Sequence, residues 1–456
     1  MNENRTIAAI ATPAAAGGIG IIRISGQSAF EIADKVFSAK DSSPLSSAKG
    51  YTMKYGGVYD GNELIDEAVA LVYRAPRSYT GEDVIELSCH GGIYVLNRVL
   101  RRCIECGASP ASPGEFTKRA FLNGKLDLTQ AQAVMDIVSA QGEQAAKGAA
   151  AAKDGAISRR IAEIKAPLVE LSAHMGVWSD YPDDDLPELT DDMIEEKLLD
   201  AQRKLQALLK SFDAGKILCT GISTAIIGKP NVGKSTLMNL MAKAERSIVT
   251  SVAGTTRDIV EESVRLGKLI LRLADTAGIH ETADEVEKIG VERACERMKN
   301  SDLVIAVFDS SKELDGDDLA VLELVAGCRS VAVINKTDLE QKLDISALEG
   351  RFSKLVYMSA KTDDDCENLE CAVQELFDLN DYDTSSGIIN NERQRACCVR
   401  ALECVTEGVD GMKLGLTFDA VNISVDCALE ALMELTGERI TTEVTDAVFD
   451  NFCVGK

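Results

Sequence analysis

The chain has 456 residues, of which 45% are hydrophobic, and its 73 acidic and 49 basic side chains give a net charge of −24. This length suffices for about three domains. The negative charge argues against nucleic-acid binding by this chain alone, because phosphate binding depends on Lys and Arg. No apolar stretch is long enough to span a bilayer and the first residues lack a secretory pattern, so we expect a cytoplasmic protein.

The 13 cysteines are scattered along the chain. Their odd number and irregular spacing favour reduced thiols. Cys103 and Cys106 alone have metal-like spacing. Because Val99 and Leu100 continue the same helical pattern, the helix core is favoured over a zinc site.

The first 122 residues alternate between short strands and helices. Apolar runs and periodicity predict strands at 6–11, 21–24, 68–73 and 84–88, and helices at 28–36 and 92–106. The pattern is typical of a small α+β domain over residues 1–122.

Arg23 and Glu86 are charged residues within predicted strands. A charge at such a position is costly unless it has a partner or a ligand. An internal ion pair and a ligand-binding site are therefore both open.

Long helices follow. Ser112, Pro113 and Glu115 predict a helix start with a serine cap, and Gly124 predicts its end. Helical spacing then extends from residue 128 to 175 and from 193 to 212, interrupted by the acidic loop 180–192. It returns at residues 391–407, 420–436 and 441–452.

Residues 228–235 (GKPNVGKS) follow the apolar run 222–227 and precede the helical 236–242. In this strand, loop and helix context, backbone N–H groups and the helix dipole cradle a polyphosphate. Lys234 is expected to reach the β and γ phosphates, and the Ser235 hydroxyl to bind Mg²⁺.

The choice of base is predicted by residues 335–338 (NKTD), which follow the strand-like 329–334. The Asp338 carboxylate can accept from both N1–H and N2–H₂ of guanine, which favours GTP over ATP. Residues 359–361 (SAK) then supply backbone and lysine contacts near the guanine carbonyl.

Two further segments complete the nucleotide core, 254–258 (GTTRD) and 275–278 (DTAG). Thr256 is expected to supply the second hydroxyl ligand of Mg²⁺, while Asp275 and the Gly278 amide hold the water shell of the metal and the third phosphate.

Ile279 replaces a water-positioning glutamine, so another group must assist hydrolysis. Asn231 either holds a monovalent cation such as K⁺ near the phosphates or satisfies its own turn.

These patterns predict a multi-domain α/β and α protein with four segments. They are an α+β domain at 1–122, a first helical part at 123–219, an inserted Ras-like P-loop GTPase domain at 220–380, and a second helical part at 381–456. The helices on either side of the insertion are expected to join in one bundle. The end of the chain, 452–456, is either frayed or reaches into a site.

Several motifs outside the nucleotide core resemble those of the MnmE (TrmE) family of tRNA-modification GTPases. They are residues 6–13 (TIAAIATP), 17–26 (GGIGIIRISG), 79–83 (YTGED), 89–92 (CHGG), 113–128 (PGEFTKRAFLNGKLDL) and 453–456 (CVGK). The likeness extends from end to end of the chain.

The resemblance implies a homodimer formed through an N-terminal domain that binds 5-formyltetrahydrofolate or a related tetrahydrofolate. It also implies a K⁺-stimulated GTPase domain inserted in a helical domain, and an MnmG (GidA)-type partner in a heterotetramer that uses FAD and NADH. Together they would install an aminomethyl-type group, such as carboxymethylaminomethyl, at C5 of the wobble uridine (position 34) of certain tRNAs.

The matching positions imply the following roles. Folate contacts would be Arg23, Glu86, Lys125 and Lys456. The K⁺ ligands would be Asn231 with oxygens of Thr250, Val252 and Thr255, and the Mg²⁺ ligands would be Ser235 and Thr256. Glu287 matches the glutamate that orients the attacking water, and joins Lys234 and Asn231 as a catalytic candidate. Cys453 matches a C-terminal cysteine whose part in the tRNA chemistry stays open.

The candidate GTP-binding residues lie in or next to the nucleotide-core segments described above. They are Asn231, Val232, Gly233, Lys234, Ser235, Thr236, Thr250, Ser251, Val252, Ala253, Gly254, Thr255, Thr256, Asp275, Thr276, Ala277, Gly278, Asn335, Lys336, Asp338, Ser359, Ala360 and Lys361.

The chain departs from the family pattern in three places. His280 replaces an arginine after the DTAG segment, Gln132 stands where glutamate is common, and 419–432 lacks the usual Arg and Glu pattern.

The alternatives are a regulatory or ribosome-assembly GTPase switch without folate, and an N-terminal domain that only dimerises, with an internal Arg23 ion pair. The acidic helical flanks favour the MnmE-like function over an assembly factor with a basic RNA-binding domain.

Overall fold

The computed structural model of the protein describes residues 5–180, 190–243, 262–273, 301–362, 366–379, 387, 389–450 and 452–455. The chain forms two compact units. The first comprises Met1–Met135, Lys153–Leu186 and Leu416–Lys456, and the second comprises Asp136–Ala152 and Pro187–Gly415. Among the helices described, none is both long and apolar enough to cross a membrane.

The first unit contains a seven-stranded sheet, antiparallel except for the β1–β7 pair. The strand order is β3-β4-β5-β6-β2-β1-β7. The strands are β1 (Ile7–Ile10), β2 (Ile19–Ser25), β3 (Phe37–Ala39), β4 (Thr52–Asp60), β5 (Glu63–Tyr73), β6 (Val84–His90) and β7 (Ser109–Pro110). The four predicted strands are confirmed, whereas β3, β4 and β7 were not predicted, because they are short or carry glycine and polar residues that weaken the apolar pattern.

Helices α1 (Ala29–Val36) and α2 (Ile93–Glu105) cover one face of this sheet. Ile22 and Ile24 point into this core, and strand alternation therefore directs Arg23 to the opposite face. Cys103 is fully buried in the same core, so its interpretation as a helix-core residue is confirmed.

Helix α3 (Glu115–Leu122) begins later than the sequence predicts. Its N-cap is Gly114, with φ 63°, instead of Ser112. One contact expected of a serine cap is present, because the Glu115 carboxylate accepts a hydrogen bond of 2.8 Å from the Ser112 N–H. A Cβ on Gly114 would lie 2.7 Å from the Phe449 carbonyl oxygen, so packing against the C-terminal segment requires glycine at this position. Gly124, with φ 66°, follows the helix end as predicted.

Four more helices lie wholly or partly in the first unit: α4 (Leu128–Ser139), α6 (Ala156–Asp180), α12 (Phe418–Thr436) and α13 (Thr442–Phe449). Helix α6 packs on α12, where Trp178 makes an edge-on contact with Phe418 at 6.4 Å between ring centroids. Phe449 and Phe452 bury their rings against Leu128 and Ala131. This cluster fixes the end of the chain to the start of α4.

The second unit contains helix α5 (Glu143–Lys153) as far as Ala152. It also contains α7 (Asp191–Thr220) and α11 (Glu392–Lys413). Helix α7 packs along α11, and Lys216 pairs with Glu392 at 2.9 Å. Helices from before and after the nucleotide segment thus pack on each other in each unit, α6 on α12 and α7 on α11. Such pairing is expected when one segment is inserted into a helical region.

The nucleotide segment of the second unit is a six-stranded sheet in the order β13-β12-β11-β8-β10-β9, with only the β9–β10 pair antiparallel. Its strands are β8 (Ile222–Ile227), β9 (Glu262–Leu266), β10 (Leu269–Leu273), β11 (Leu303–Asp309), β12 (Ser330–Asn335) and β13 (Lys354–Tyr357), and its helices are α8 (Lys234–Lys243), α9 (Gly316–Leu324) and α10 (Glu367–Leu376). Every residue of β11 and β12 is buried, as expected of central parallel strands covered on both faces.

Candidate nucleotide-binding site

The loop after β8 has the curvature of a phosphate-binding loop. Gly228 and Gly233 adopt φ values of 143° and 104°. A Cβ at Gly228 would lie 2.5 Å from the Val307 carbonyl oxygen, and one at Gly233 would lie 2.2 Å from Asn335 Nδ2. Glycine is therefore required at both positions by conformation and by space.

Asn231 lies at the tip of this loop and is exposed. Its φ of 65° is left-handed, a conformation that costs a non-glycine residue about 1 kcal/mol and persists only where the surroundings enforce it. Its carbonyl oxygen accepts a hydrogen bond of 2.8 Å from Lys336 Nζ. The Asn231 side chain is thus presented to solvent by a backbone that another loop holds in place.

Lys234 opens helix α8 and is half-buried. Its ammonium donates to the carbonyl oxygens of Gly228 and Lys229, at 2.5 and 2.8 Å. Burial lowers the pKa of the Lys234 ammonium, because its charged form is poorly solvated there. Phosphate oxygens at this position would stabilise the charge. Ser235 and Thr236 follow, exposed at the helix start.

The loop after β12, which the sequence predicts to bind guanine, joins this site through Asn335. Its buried side chain donates to the Val232 carbonyl oxygen at 2.8 Å, and its amide oxygen accepts from the Ala360 and Lys336 N–H groups at 2.9 and 2.8 Å. One residue therefore links three loops. They lie at the carboxyl ends of parallel strands, where open α/β sheets bind ligands.

Asp338 is exposed, and its carboxylate accepts a hydrogen bond of 2.7 Å from Ser359 Oγ. Ser359 and Ala360 are buried, and Lys361 is exposed. The structure thus places Asp338 beside the 359–361 loop, as expected for two loops that bind one guanine ring.

Lys336 adds an ionic contact that the sequence did not predict. Its Nζ lies 2.6 Å from Asp309 Oδ2 at the end of β11. The Asp309 side chain is only 1% exposed. Burial raises its pKa, but hydrogen bonds from Lys336 and Ser311 outweigh that effect, and the net pKa is lowered. Its position at the end of a buried apolar run was the only sequence signal for Asp309.

Many predicted residues lie outside the described part of the chain. They are Thr250, Ser251, Val252, Ala253, Gly254, Thr255, Thr256, Asp275, Thr276, Ala277, Gly278, Ile279, His280, Glu287 and Lys456. The described part of the nucleotide site therefore consists of the phosphate loop and the base-binding loops.

The first unit holds a second candidate site around Arg23 and Glu86. The two are direct cross-strand partners on β2 and β6, and Arg23 Nε lies 2.8 Å from Glu86 Oε1. Arg23 Nη1 also donates to the Gly455 carbonyl oxygen at 3.2 Å. The internal ion pair, one of the two alternatives that the sequence left open, is present, and Gly455 of the C-terminal tail contacts it.

Two aromatic rings flank the Arg23 guanidinium. Its carbon lies 5.6 Å from the Tyr79 ring centroid and 5.5 Å from that of Phe116, distances typical of cation–π contacts. Both rings lie in motifs of the sequence, 79–83 and 113–128, but no pattern placed them beside Arg23.

The other residues predicted for this site lie at its margin or beyond it. The exposed Lys125 donates from Nζ to the Pro76 carbonyl oxygen at 3.1 Å. The Cys453 side chain is exposed, while its carbonyl oxygen accepts from the Gly114 N–H at 3.3 Å.

A largely parallel sheet, a phosphate loop after one strand and a guanine-type loop after another define the second unit as a P-loop GTPase-like domain. Residues 6–125 match the family model for the N-terminus of the GTP-binding protein TrmE, and residues 128–453 match the model for the MnmE helical domain.

Two relatives are similar to the chain over nearly its whole length. The tRNA modification GTPase MnmE of Listeria innocua is 44% identical over 458 residues, covering 100% of both chains. That of Alkaliphilus oremlandii is 40% identical over 456 residues, covering 99% of both. The chain therefore belongs to the MnmE family of tRNA modification GTPases, and it is a GTP hydrolase of that class.

Solved structures match the chain over smaller parts. Era in complex with MgGDPNP and a segment of 16S ribosomal RNA has a TM-score of 0.27 at 23% identity, covering 40% of this chain and 66% of its own. The FeoB G-domain of Methanococcus jannaschii has a TM-score of 0.26 at 25% identity, covering 34% of this chain and 97% of its own.

Proposed function

We propose that the chain is a K⁺-stimulated GTPase that acts with an FAD-dependent MnmG (GidA)-type partner on tRNA. The two would install aminomethyl or carboxymethylaminomethyl groups at C5 of the wobble uridine, position 34, using a tetrahydrofolate one-carbon donor. Beyond family membership, the observation that carries this proposal is the left-handed, exposed Asn231, held by Lys336 within the phosphate loop.

The donor set proposed here suits a monovalent cation. The Asn231 amide oxygen, with oxygens of Thr250, Val252 and Thr255, would supply neutral ligands beside the phosphates. K⁺ bound there would supply positive charge where negative charge develops during hydrolysis. Ile279 cannot position water, so this role falls to Glu287 in the proposal. Ser235, exposed at the start of α8, and Thr256 would hold Mg²⁺ through hydroxyl oxygens, which are ligands of the type that Mg²⁺ prefers.

The second site fits a folate in its chemistry. A carboxylate such as Glu86 can accept from the adjacent N–H groups of a pterin ring, and the Arg23 guanidinium suits acceptor oxygens. Tyr79 and Phe116 add aromatic surface beside Arg23. We propose that Arg23, Glu86, Lys125 and Lys456 bind the folate.

Assembly completes the proposal. We propose a homodimer formed through residues 1–122, with the inserted domain 220–380 of each protomer meeting its copy across the nucleotide. The helical parts 123–219 and 381–456 would transmit this closure to the folate site. Because the net charge is −24, the partner would supply much of the basic surface that tRNA requires.

Steady-state GTP hydrolysis in KCl and in NaCl at equal ionic strength tests the cation. We expect faster hydrolysis in KCl, and no difference between the salts for Asn231→Ala. Asn368→Ala is the matched control, since Asn368 is also exposed and lies on helix α10 of the same unit, outside the nucleotide loops. Equal wild-type rates in both salts would leave a regulatory GTPase switch as the better description.

Folate binding is tested by calorimetry with 5-formyltetrahydrofolate. We expect binding by the wild type and loss of it in Glu86→Gln, which keeps the shape of the side chain but removes its charge. Wild-type protein that binds no folate would support an N-terminal domain that only dimerises. Mass spectrometry of tRNA incubated with the partner, GTP and the folate then tests the C5 product.

A further inference from the structure

Lys229, the second residue of the phosphate loop, forms ion pairs with two carboxylates. Its Nζ lies 2.8 Å from Asp315 Oδ2 and 2.6 Å from Asp318 Oδ2. The Lys229 side chain is 8% exposed and that of Asp318 is 4% exposed. A lysine charge this buried and doubly paired does not serve as a surface phosphate contact.

The two carboxylates are fixed by helix α9. Asp315 is its N-cap and accepts from the Asp317 and Asp318 N–H groups, while Asp318 accepts from the Asp315 N–H at 3.2 Å. This reciprocal capping box immobilises both acids. Lys229 is therefore tied to a rigid part of the fold.

The backbone of the same residue makes a further contact within the phosphate loop. The Lys229 carbonyl oxygen accepts a hydrogen bond of 2.8 Å from Lys234 Nζ. We propose that Lys229 is a positioning residue for GTP binding, whose ion pairs to Asp315 and Asp318 hold the loop backbone that orients Lys234. Lys336 holds the same loop at Asn231, so the loop is anchored on both sides before the nucleotide binds. Such preorganisation raises affinity.

The test separates positioning from charge compensation by comparing Lys229→Met with the double variant Lys229→Met/Asp318→Asn. The single variant leaves a buried carboxylate without its cation and is expected to be less stable, whereas the double variant removes that charge and regains thermal stability. The probe is a fluorescent N-methylanthraniloyl derivative of GDP. We expect its Kd to rise at least about fivefold in the double variant.

A matched control is Lys354→Met/Glu375→Gln, which removes an exposed ion pair from the same unit. We expect the control to bind the probe as the wild type does. A wild-type Kd in the double variant, or an equal rise in the control, would overturn the positioning role. The inference rests on guanine-nucleotide binding by this chain, and the wild-type titration tests that binding separately.

Discussion

The Arg23 guanidinium donates a hydrogen bond of 3.2 Å to the carbonyl oxygen of Gly455, a residue 432 positions later in the chain. Gly455 therefore lies against strands β1 and β2, where it also approaches Ile10. The tail brings the exposed thiol of Cys453 into the neighbourhood of the proposed folate site.

Gly455→Ala should loosen this tail. Gly455 has φ 96°, and a Cβ there would lie 2.4 Å from the Ile10 carbonyl oxygen. We expect carboxypeptidase B to release the terminal lysine faster from this variant. Gly415→Ala is the control, because it shares a positive φ of 70° but has open space for a Cβ. Equal release from Gly455→Ala and wild type would contradict the tail contact.

Arg23→Met should destabilise the first unit. The variant leaves Glu86 mostly buried without its partner, at a cost of about 2 kcal/mol in the free energy of unfolding. Arg23→Met/Glu86→Leu should recover most of this loss, because it removes both charges. Urea unfolding followed by fluorescence of Trp178, the single tryptophan, reports on this unit. The exposed pair of Lys35 and Glu31 provides the control variant Lys35→Met, which should unfold as the wild type does.

Gly233→Ala should weaken GTP binding by about tenfold or more, since left-handed strain alone costs about 1–3 kcal/mol. The new Cβ would also collide with Asn335 Nδ2 at 2.2 Å. Gly327→Ala carries a similar positive φ of 85° but meets no atom within 4 Å. Equilibrium binding of labelled GTP should therefore separate the two variants, and equal affinities would argue against the Gly233–Asn335 contact.

Asp338→Asn should change base selectivity. The asparagine NH₂ cannot accept from guanine N1–H and N2–H₂, but it can donate to the C2 carbonyl of xanthine. We expect GTP affinity to fall about thirtyfold, which corresponds to about 2 kcal/mol for a bidentate pair, and XTP affinity to rise. Competition binding measures both. Unchanged preference for GTP would remove Asp338 from the base-binding site.

Acidification should weaken the second unit through Asp309. Because the pKa of its carboxyl is lowered in the folded state, this carboxylate contributes stability that is fully present above its ordinary pKa of about 3.9. That stability is lost as the pH falls through the lower folded value. Calorimetry should show a smaller decline below about pH 4 for Asp309→Asn than for wild type. Parallel declines would show that Asp309 carries no such linkage.

The sequence by itself determined the local elements and the nucleotide chemistry. The loop at 228–235 follows a strand and precedes a helix as predicted, because glycine spacing and apolar periodicity are local properties of the chain. The prediction of guanine is local in the same sense. It rests on the carboxylate of a single residue, Asp338, whose oxygens can accept both guanine N–H groups.

Only the tertiary structure decided which distant residues meet. Strand pairing placed Arg23 opposite Glu86, and packing of Phe449 and Phe452 brought the tail back to them. Lys229 and Asp318 lie 89 positions apart and pair because β8 and β11 are neighbours in the sheet, each ending at the same edge. Such contacts depend on strand order and side-chain burial, which no local pattern specifies.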